Sequence, residues 1–143
     1  MATRTNPAAG LFSLLHAAGA AEGHVESRLA AVGLSLPKLA ALHHLVLAGE
    51  ALPLGELAGR LACVKSNVTQ LIDRLEVDGL VRRAPDPNDR RSRLAVLTAA
   101  GRKAHEQGSR IQQQAEREVF SALTPAESQQ LAAALGKLDR GPA

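Results

Sequence analysis

Apolar residues recur every three or four positions along much of the chain, and glycine, proline or capping residues separate the periodic segments. The first segment runs from Leu11 to Val32 and stops at Gly33, which predicts a long N-terminal helix. Ser35 is a favoured N-cap and Pro37 is tolerated in a first helical turn. A second helix is therefore predicted up to about Ala48.

Two short helices are predicted next, over residues 54–61 and 65–77, and Gly79 closes the second. Each has an apolar face at helical spacing, and the two faces comprise Leu57, Ala58, Leu61, Val68, Leu71, Ile72 and Leu75. The faces can pack across the intervening turn, where Cys63 is the expected buried residue. This order predicts a helix-turn-helix.

The pattern changes its period after the second short helix. Residues 80–84 and 93–97 look like two short strands, and turn-forming residues lie between them. A β-hairpin with a long tip is therefore predicted. A basic hairpin that directly follows a helix-turn-helix is typical of a wing.

Two further helices are predicted after the hairpin. Thr98 is the expected N-cap of a helix that runs from Ala99 to about Ser121. The run "TPAE" forms a capping box in which Thr124 and Glu127 begin a last helix. The predicted fold class is mainly α with a small β-hairpin wing, a winged helix-turn-helix domain with additional N- and C-terminal helices.

Composition agrees with one domain of 143 residues and an aliphatic core, because the chain has two Phe and neither Trp nor Tyr. It has no run of about 20 apolar residues, so no membrane partner is expected. The first residues, "MATRTNPAAG", do not resemble a secretory signal. A single cysteine fits a reducing compartment, and a cytoplasmic location is expected.

The basic residues are concentrated in the hairpin. It contains five arginines and two aspartates, namely Arg82, Arg83, Arg90, Arg91, Arg93, Asp86 and Asp89. The net charge of the whole chain is +3, so the hairpin accounts for all of the excess positive charge and the rest of the chain is neutral overall. The outer face of the preceding helix carries polar side chains suited to DNA, namely Lys65, Ser66, Asn67, Thr69, Gln70 and Arg74. When that helix is considered without the hairpin, its polar face could equally be one that contacts only solvent. Both features together predict double-stranded DNA as a partner.

The segment Leu57–Ala104 resembles the MarR family of winged-helix bacterial transcription regulators, most closely in "VTQLIDRLEVDGLVRR", "DPNDRR" and "LTAAG". The order of the outer helices matches as well, so the resemblance covers nearly the whole chain, 1–143. It implies a homodimer on a pseudo-palindromic operator. Dimerisation helices are then expected at about 8–33 and 100–140, and the winged helix-turn-helix at about 36–98.

The resemblance also implies roles within the wing. The Asp-x-Arg motif of the family is matched by Asp89 and Arg91, so Asp89 is expected to hold the tip and Arg91 to enter the minor groove. The other arginines, Arg82, Arg83, Arg90 and Arg93, are candidates for phosphate contacts or for pairing with Asp86. Relatives often have a Ser or Thr cap where this chain has Val64, so the start of the recognition helix is left open, and Lys65 or Ser66 could take over its free N–H groups.

Many MarR-like proteins release DNA when a small molecule, often an aromatic anion, binds beside the dimerisation helices. A repressor relieved by such an effector is the leading interpretation, with the ligand-contacting residues left open. A metal-responsive or redox-responsive regulator is the alternative, because His43, His44 and His105 lie on helices that zinc-sensing relatives use. Those relatives have a second histidine one turn after the position of His105, where this chain has Ser109, and Cys63 is expected to be structural. No metal or other cofactor is therefore predicted.

Two other functional classes are less consistent with the residues. An enzyme would need a glycine-rich phosphate loop, clustered carboxylates or a nucleophile beside a base, and the sequence shows none of these. A helical dimer that binds only a protein partner would not need five arginines in its hairpin. The predicted function is DNA binding without catalysis.

Overall fold

The computed structural model describes residues 10–61 and 67–142 and confirms the mainly α fold class. Its elements, in chain order, are α1 (Leu11–Ala30), α2 (Leu36–Leu47), β1 (Ala51–Pro53), α3 (Leu54–Arg60), α4 (Val68–Val77), β2 (Val81–Pro85), β3 (Arg93–Leu97), α5 (Ala99–Phe120) and α6 (Pro125–Asp139). The predictions for Cys63, Lys65 and Ser66 lie outside the described residues.

The predicted caps of α2, α5 and α6 are present. The side-chain oxygen of Ser35 accepts the Lys38 N–H at 3.3 Å, and that of Thr98 accepts the Gly101 N–H at 3.0 Å. Thr124 forms the complete capping box with Glu127. The backbone N–H groups at these helix starts lack intrahelical partners, so local side chains alone can determine where the helices begin.

The prediction that α4 begins at Lys65 is wrong. The helix begins at Val68, and Asn67 is its N-cap, with the side-chain oxygen accepting the Gln70 N–H at 3.3 Å. Asn is among the best N-cap residues because its short side chain reaches the free N–H groups of the first turn. One oxygen of Asn67 is thus used within the protein.

The sheet has three antiparallel strands in the order β1-β3-β2, and β1 was not predicted. Strands β2 and β3 form the hairpin, with Val81 paired to Leu97 and Pro85 to Arg93. Strand β1 pairs with the other edge of β3, with Leu52 opposite Ala95. Three residues that include a proline carry too little pattern to predict a strand, and their pairing depends on a distant partner.

The core lies where α2, α3 and α4 pack against the sheet and α5. Its fully buried large side chains are aliphatic, namely Leu29, Leu42, Leu45, Leu57, Leu61, Leu75 and Val81. Two glycines of α5 permit close packing there. A β-carbon at Gly101 would overlap the carbonyl oxygen of Leu80, and one at Gly108 would lie 2.8 Å from side-chain carbons of both Leu34 and Leu39.

The two ends of the described chain bury little. Every residue from 11 to 20 in α1 is exposed, and α6 has no buried residue. Leu14 of α1 nevertheless lies beside Leu135 and Leu138 of α6, where the three side chains line a shallow cavity. The outer helices therefore form a shared apolar surface.

Within residues 10–61 and 67–142, no helix is long and apolar enough to cross a membrane.

Candidate nucleic-acid interface

Helix α4 turns most of its apolar side chains towards the core and its polar side chains towards solvent, while Val77, its last residue, is exposed. Leu71, Ile72 and Leu75 are buried against the core, whereas the candidate contacts Thr69 and Gln70 are exposed. Arg74 is also exposed, near the C-terminal end of the helix. This helix therefore presents an amide, a hydroxyl and a guanidinium to solvent, and all three groups can form hydrogen bonds with base edges or phosphates.

The tip of the hairpin is shaped by its two aspartates. The side-chain oxygen of Asp86 accepts the Asn88 N–H at 2.9 Å, and that of Asp89 accepts the Arg91 N–H at 2.9 Å. A backbone hydrogen bond from Ser92 to the Asp89 carbonyl adds a further turn, at 3.1 Å. Such side-chain turns fix the backbone without using arginine side chains. The Asp89 contact is the one expected of a residue that holds the tip.

Arg83 connects the base of the hairpin to α4. Its guanidinium donates to Asp73 at 2.6 Å and to Glu76 at 2.9 Å, and its backbone N–H donates to Glu76 at 3.2 Å. Hydrogen bonding to Asp73, reinforced by the charge of Glu76, raises the pKa of Arg83. Its ion-pair partners are thus two carboxylates of α4 rather than Asp86, and its charge is largely compensated. No pattern along the chain indicates this bridge, because the two acids lie seven and ten residues before Arg83 in another element.

The remaining arginines differ from Arg83. Among the residues that the structure describes, the side chains of Arg74, Arg82, Arg90, Arg91 and Arg93 form no hydrogen bond and no ion pair, and all five are exposed. Four of them belong to the hairpin and one to α4. The structure therefore leaves an uncompensated positive surface on the two elements that Arg83 joins.

The junction with α5 holds α4 and the hairpin in place. The Thr98 hydroxyl donates to the Gly79 carbonyl at 2.7 Å, and the Thr98 N–H donates to the Leu80 carbonyl at 3.1 Å. Gly101 packs directly on that same Leu80 carbonyl. The end of α4, the end of the hairpin and the start of α5 thus meet at one point, and "LTAAG" is the sequence that forms it.

A cavity of about 780 Å³ lies between α1, α2 and α5. Apolar side chains of α2, including Leu36 and Leu39, form one part of its wall, and polar side chains of α1 and α5 form another. Its volume lies in the range of small-molecule pockets, about 300–1,000 Å³. Sequence reasoning did not identify the residues that line it, because they come from three separated segments.

The histidines at one edge of this cavity contact each other. His43 Nδ1 lies 3.1 Å from His105 Nε2, and the Ser109 hydroxyl lies 3.3 Å from the same His105 atom. Burial and the neighbouring His43 lower the pKa of His105, and burial and His43 also lower the pKa of His44. Across the described ranges, no group of three or more His, Cys, Asp or Glu side chains is arranged to hold a metal ion.

Residues 34–92 match the model of the MarR family. The chain is 38% identical over 95 residues to the transcriptional activatory protein BadR of Rhodopseudomonas palustris, a match that covers 63% of this chain and 49% of BadR. It is also 38% identical over 84 residues to the uncharacterized HTH-type transcriptional regulator YkoM of Bacillus subtilis, with 59% and 54% covered. The matches thus span about half the length of these curated relatives, which are named as transcription proteins rather than enzymes.

Solved structures share the fold over most of the chain. A probable transcriptional regulator from Pseudomonas aeruginosa aligns with a TM-score of 0.79 and 27% identity, covering 89% of this chain and 94% of that one. A mutant MarR from E. coli in complex with operator DNA aligns with a TM-score of 0.78 and 26% identity, covering 90% and 92%. The helices and the three-stranded sheet described above therefore form the MarR winged-helix fold.

Proposed function

We propose that this chain is a member of the MarR family and acts as a homodimeric, sequence-specific DNA-binding regulator of transcription. The observation that carries the proposal is the set of unpaired, exposed arginines on α4 and the hairpin. An unpaired guanidinium gains more free energy by binding a DNA phosphate than a paired one does, because no carboxylate of the protein has to be displaced first. The similar fold of a MarR protein bound to operator DNA supports the same reading.

In this proposal α4 lies in the major groove. Gln70 can pair with an adenine edge and Arg74 with guanine, while Thr69 contacts a thymine methyl group or a phosphate. Asn67 retains its amide N–H groups for DNA, since its oxygen caps the helix. The preceding Lys65 and Ser66 are proposed phosphate contacts.

The hairpin is the proposed wing. Arg91 enters the minor groove, where a narrow groove concentrates negative potential, and Asp89 holds the backbone that presents it. Arg90 is a proposed phosphate contact beside it. Arg83 was predicted as a DNA contact; its two carboxylate partners support instead a role in orienting the wing on α4.

The second copy in the proposal is supported by the apolar ends of the chain. Phe12 is 85% exposed and Leu138 is 61% exposed, and Leu11, Leu15 and Phe120 are also exposed. Several large apolar side chains exposed on the same outer helices, with Leu14 beside Leu135 and Leu138, are the usual mark of a protein interface. We propose that α1, α5 and α6 of two chains pack together, so that two winged domains, about 36–98, reach successive half-sites.

We further propose that the protein acts as a repressor that a small molecule relieves, with the cavity between α1, α2 and α5 as the binding site. Each of these helices belongs either to the proposed dimer region or to the winged domain, so a ligand between them could change the spacing of the two α4 helices. BadR is named an activatory protein. Transcription of the target gene should therefore be measured with and without the protein, which shows directly whether the protein represses or activates it.

The test is binding of a labelled DNA fragment from the region upstream of the gene, followed by fluorescence anisotropy at increasing salt. A log–log slope that reflects several phosphate contacts is expected. Arg91→Ala should weaken binding by about tenfold, consistent with about 1–3 kcal/mol for a groove contact, and by more than the neighbouring wing variant Arg93→Ala. Binding that ignores salt would contradict the proposal, and equal effects of the two variants would remove the assignment of Arg91 to the minor groove.

A further inference from the structure

The wall of the cavity between α1, α2 and α5 is acidic. Glu22 of α1 and Glu116 of α5 both line it, and the described residues of its wall include no lysine and no arginine. The other polar groups of the wall are His43, Ser109 and two glutamines. Formal charge in the wall thus comes from two carboxylates and one imidazole.

Neither carboxylate is compensated inside the protein. In the part of the chain that the structure describes, Glu22 and Glu116 form no ion pair. One oxygen of Glu116 accepts a hydrogen bond from the Gln112 amide at 2.8 Å, which orients the carboxylate without neutralising it. A cation in the cavity would therefore find a negative charge that is already held in position.

The imidazole does not reverse this charge. An N–H···N bond between His43 and His105, at a distance of 3.1 Å, needs one of the two nitrogens to be without a proton. The two rings together can therefore carry at most one positive charge while the contact lasts. Two carboxylates against at most one positive charge leave the wall net negative whether or not one ring is protonated.

The rest of the wall is apolar. Leu36, Leu39 and Ala40 of α2, together with Pro37, offer aliphatic surface on one side of the cavity. A bound molecule would thus meet an apolar surface and a carboxylate surface at once. The described wall includes no Phe, and the chain has neither Trp nor Tyr, so the apolar contact on this side is aliphatic.

We propose that this cavity binds an organic monocation with an apolar body, such as an arylalkyl amine, whose ammonium group lies against Glu22 and Glu116. An aromatic carboxylate or phenolate, the class that the family resemblance suggests, would face two like charges instead. The regulatory meaning of this binding rests on the proposed function, since the amine would be the effector that relieves the repressor. Binding itself can be measured without DNA.

The test uses three probes with the same body and different head groups: 4-phenylbutylamine, 4-phenylbutanol and 4-phenylbutyrate. Isothermal titration of the full-length protein at about pH 7.5 should show the amine binding roughly tenfold more tightly than the carboxylate, with the alcohol between them. Glu22→Gln and Glu116→Gln should each weaken amine binding about threefold, and the double variant should bring the three probes within about twofold of each other. These substitutions keep shape and remove charge.

The matched control is Glu106→Gln, which neutralises an exposed glutamate of α5 outside the cavity wall. It should leave the order of the three probes unchanged, because its carboxylate does not line the cavity. Equal affinity for the three probes, tightest binding of the carboxylate, or a loss of preference in Glu106→Gln equal to that in Glu116→Gln would overturn the proposal.

DNA binding is measured on the same preparations, so that two failures can be told apart. Charge-selective amine binding by a protein that does not bind DNA would uphold the ligand class and contradict the proposed function. Salt-dependent DNA binding without preference among the probes would leave the proposed function intact and overturn the ligand class. Release of DNA by the amine and not by the carboxylate would support both.

Discussion

The winged part of the molecule and its outer helices use apolar residues in opposite ways. In the winged part, Leu57, Leu75 and Val81 are almost completely buried, and the polar side chains of α4 face outward. In the outer helices, Phe12 and Leu138 are among the most exposed large apolar residues described. Among the described residues, the winged part leaves two large apolar side chains strongly exposed, Leu47 and Val77, whereas α1, α5 and α6 leave seven exposed.

The difference indicates which interactions each region needs. A helix gains most of its stability from packing an apolar face, and α6 buries no residue in one chain. In the proposed dimer a second copy covers such a face, and the stability of the outer helices is then expected to depend on chain concentration in a way that the winged core does not. The comparison can be tested by changing each region separately.

The largest effect is expected at the outer helices. Leu138→Glu should raise the dissociation constant of the proposed dimer by at least about 100-fold, because removing a buried leucine costs about 1.5–3 kcal/mol and symmetry places two copies in the interface. Sedimentation equilibrium of the variant and the unchanged protein measures this constant directly.

The matched control for that experiment is Leu47→Glu. Leu47 is 66% exposed, close to the 61% of Leu138, but it lies at the end of α2 in the winged part. It should leave the dissociation constant nearly unchanged. A folded monomer of the unchanged protein at micromolar concentration, or equal effects of the two variants, would refute the dimer.

The next effect is expected at the junction between the two regions. Gly101→Ala places a β-carbon on the backbone carbonyl of Leu80, which cannot move aside as a flexible side chain would. We expect a loss of about 1–3 kcal/mol in the free energy of unfolding, or more, from this overpacking. Urea unfolding followed by circular dichroism is suitable, since the chain has no tryptophan.

Gly136→Ala is the corresponding control in α6. A β-carbon there meets no atom within 4 Å in one chain, so the substitution should be neutral or should stabilise by about 0.5–1 kcal/mol through the helix preference of alanine. If Gly136→Ala destabilised the protein as much as Gly101→Ala, the close packing at Leu80 would not be the cause.

A smaller effect should separate two neighbouring arginines of the wing. Arg82 has no side-chain partner among the described residues, whereas Arg83 is paired with Asp73 and Glu76 and its side chain is 25% exposed. Arg83→Ala should lower the free energy of unfolding by about 1 kcal/mol and leave the salt slope of DNA binding nearly unchanged. Arg82→Ala should have the opposite pattern: the slope of log binding constant against log salt concentration should fall by about one, with little change in the free energy of unfolding. A smaller slope for Arg83→Ala, with no change for Arg82→Ala, would make Arg83 the phosphate contact.

The smallest effect is a loss of stability in mild acid. Burial and His43 lower the pKa of His105 below its ordinary 6.5, so the unfolded chain takes up the proton first as the pH falls. The contribution of His105 to the free energy of unfolding is therefore complete above about pH 6.5 and is lost as the pH falls from there towards the pKa of His105 in the folded protein. The pKa of His44 is also lowered, so its contribution changes with pH in the same direction.

Thermal unfolding of His105→Gln and of the unchanged protein between about pH 7.5 and 5 measures this contribution. The variant should show a shallower pH dependence. Glu118 and Glu127 also have lowered pKa values, through hydrogen bonds, but their contributions are lost only below the ordinary value of 4.5 and lie outside this window. Identical pH profiles would contradict a lowered pKa of His105 in the folded protein.

Local features were predicted most accurately. The caps Ser35, Thr98 and Thr124 were identified because capping depends on side chains within three residues of a helix start. The hairpin strands followed from their period and from the turn formers between them. The prediction failed at the start of α4, where several adjacent polar residues were candidate caps in the sequence and Asn67 is the N-cap in the structure.

The order of the helices, the hairpin and the concentration of arginine in it follow from the amino-acid sequence, because each depends on neighbours within a few residues. The folded chain was needed to show which arginine is paired, that β1 joins β3, that Gly101 packs on Leu80, and that Glu22 and Glu116 line one cavity. These relations join residues far apart along the chain. Their energies depend on distance and solvent exposure in the folded molecule, which periodicity and composition do not encode.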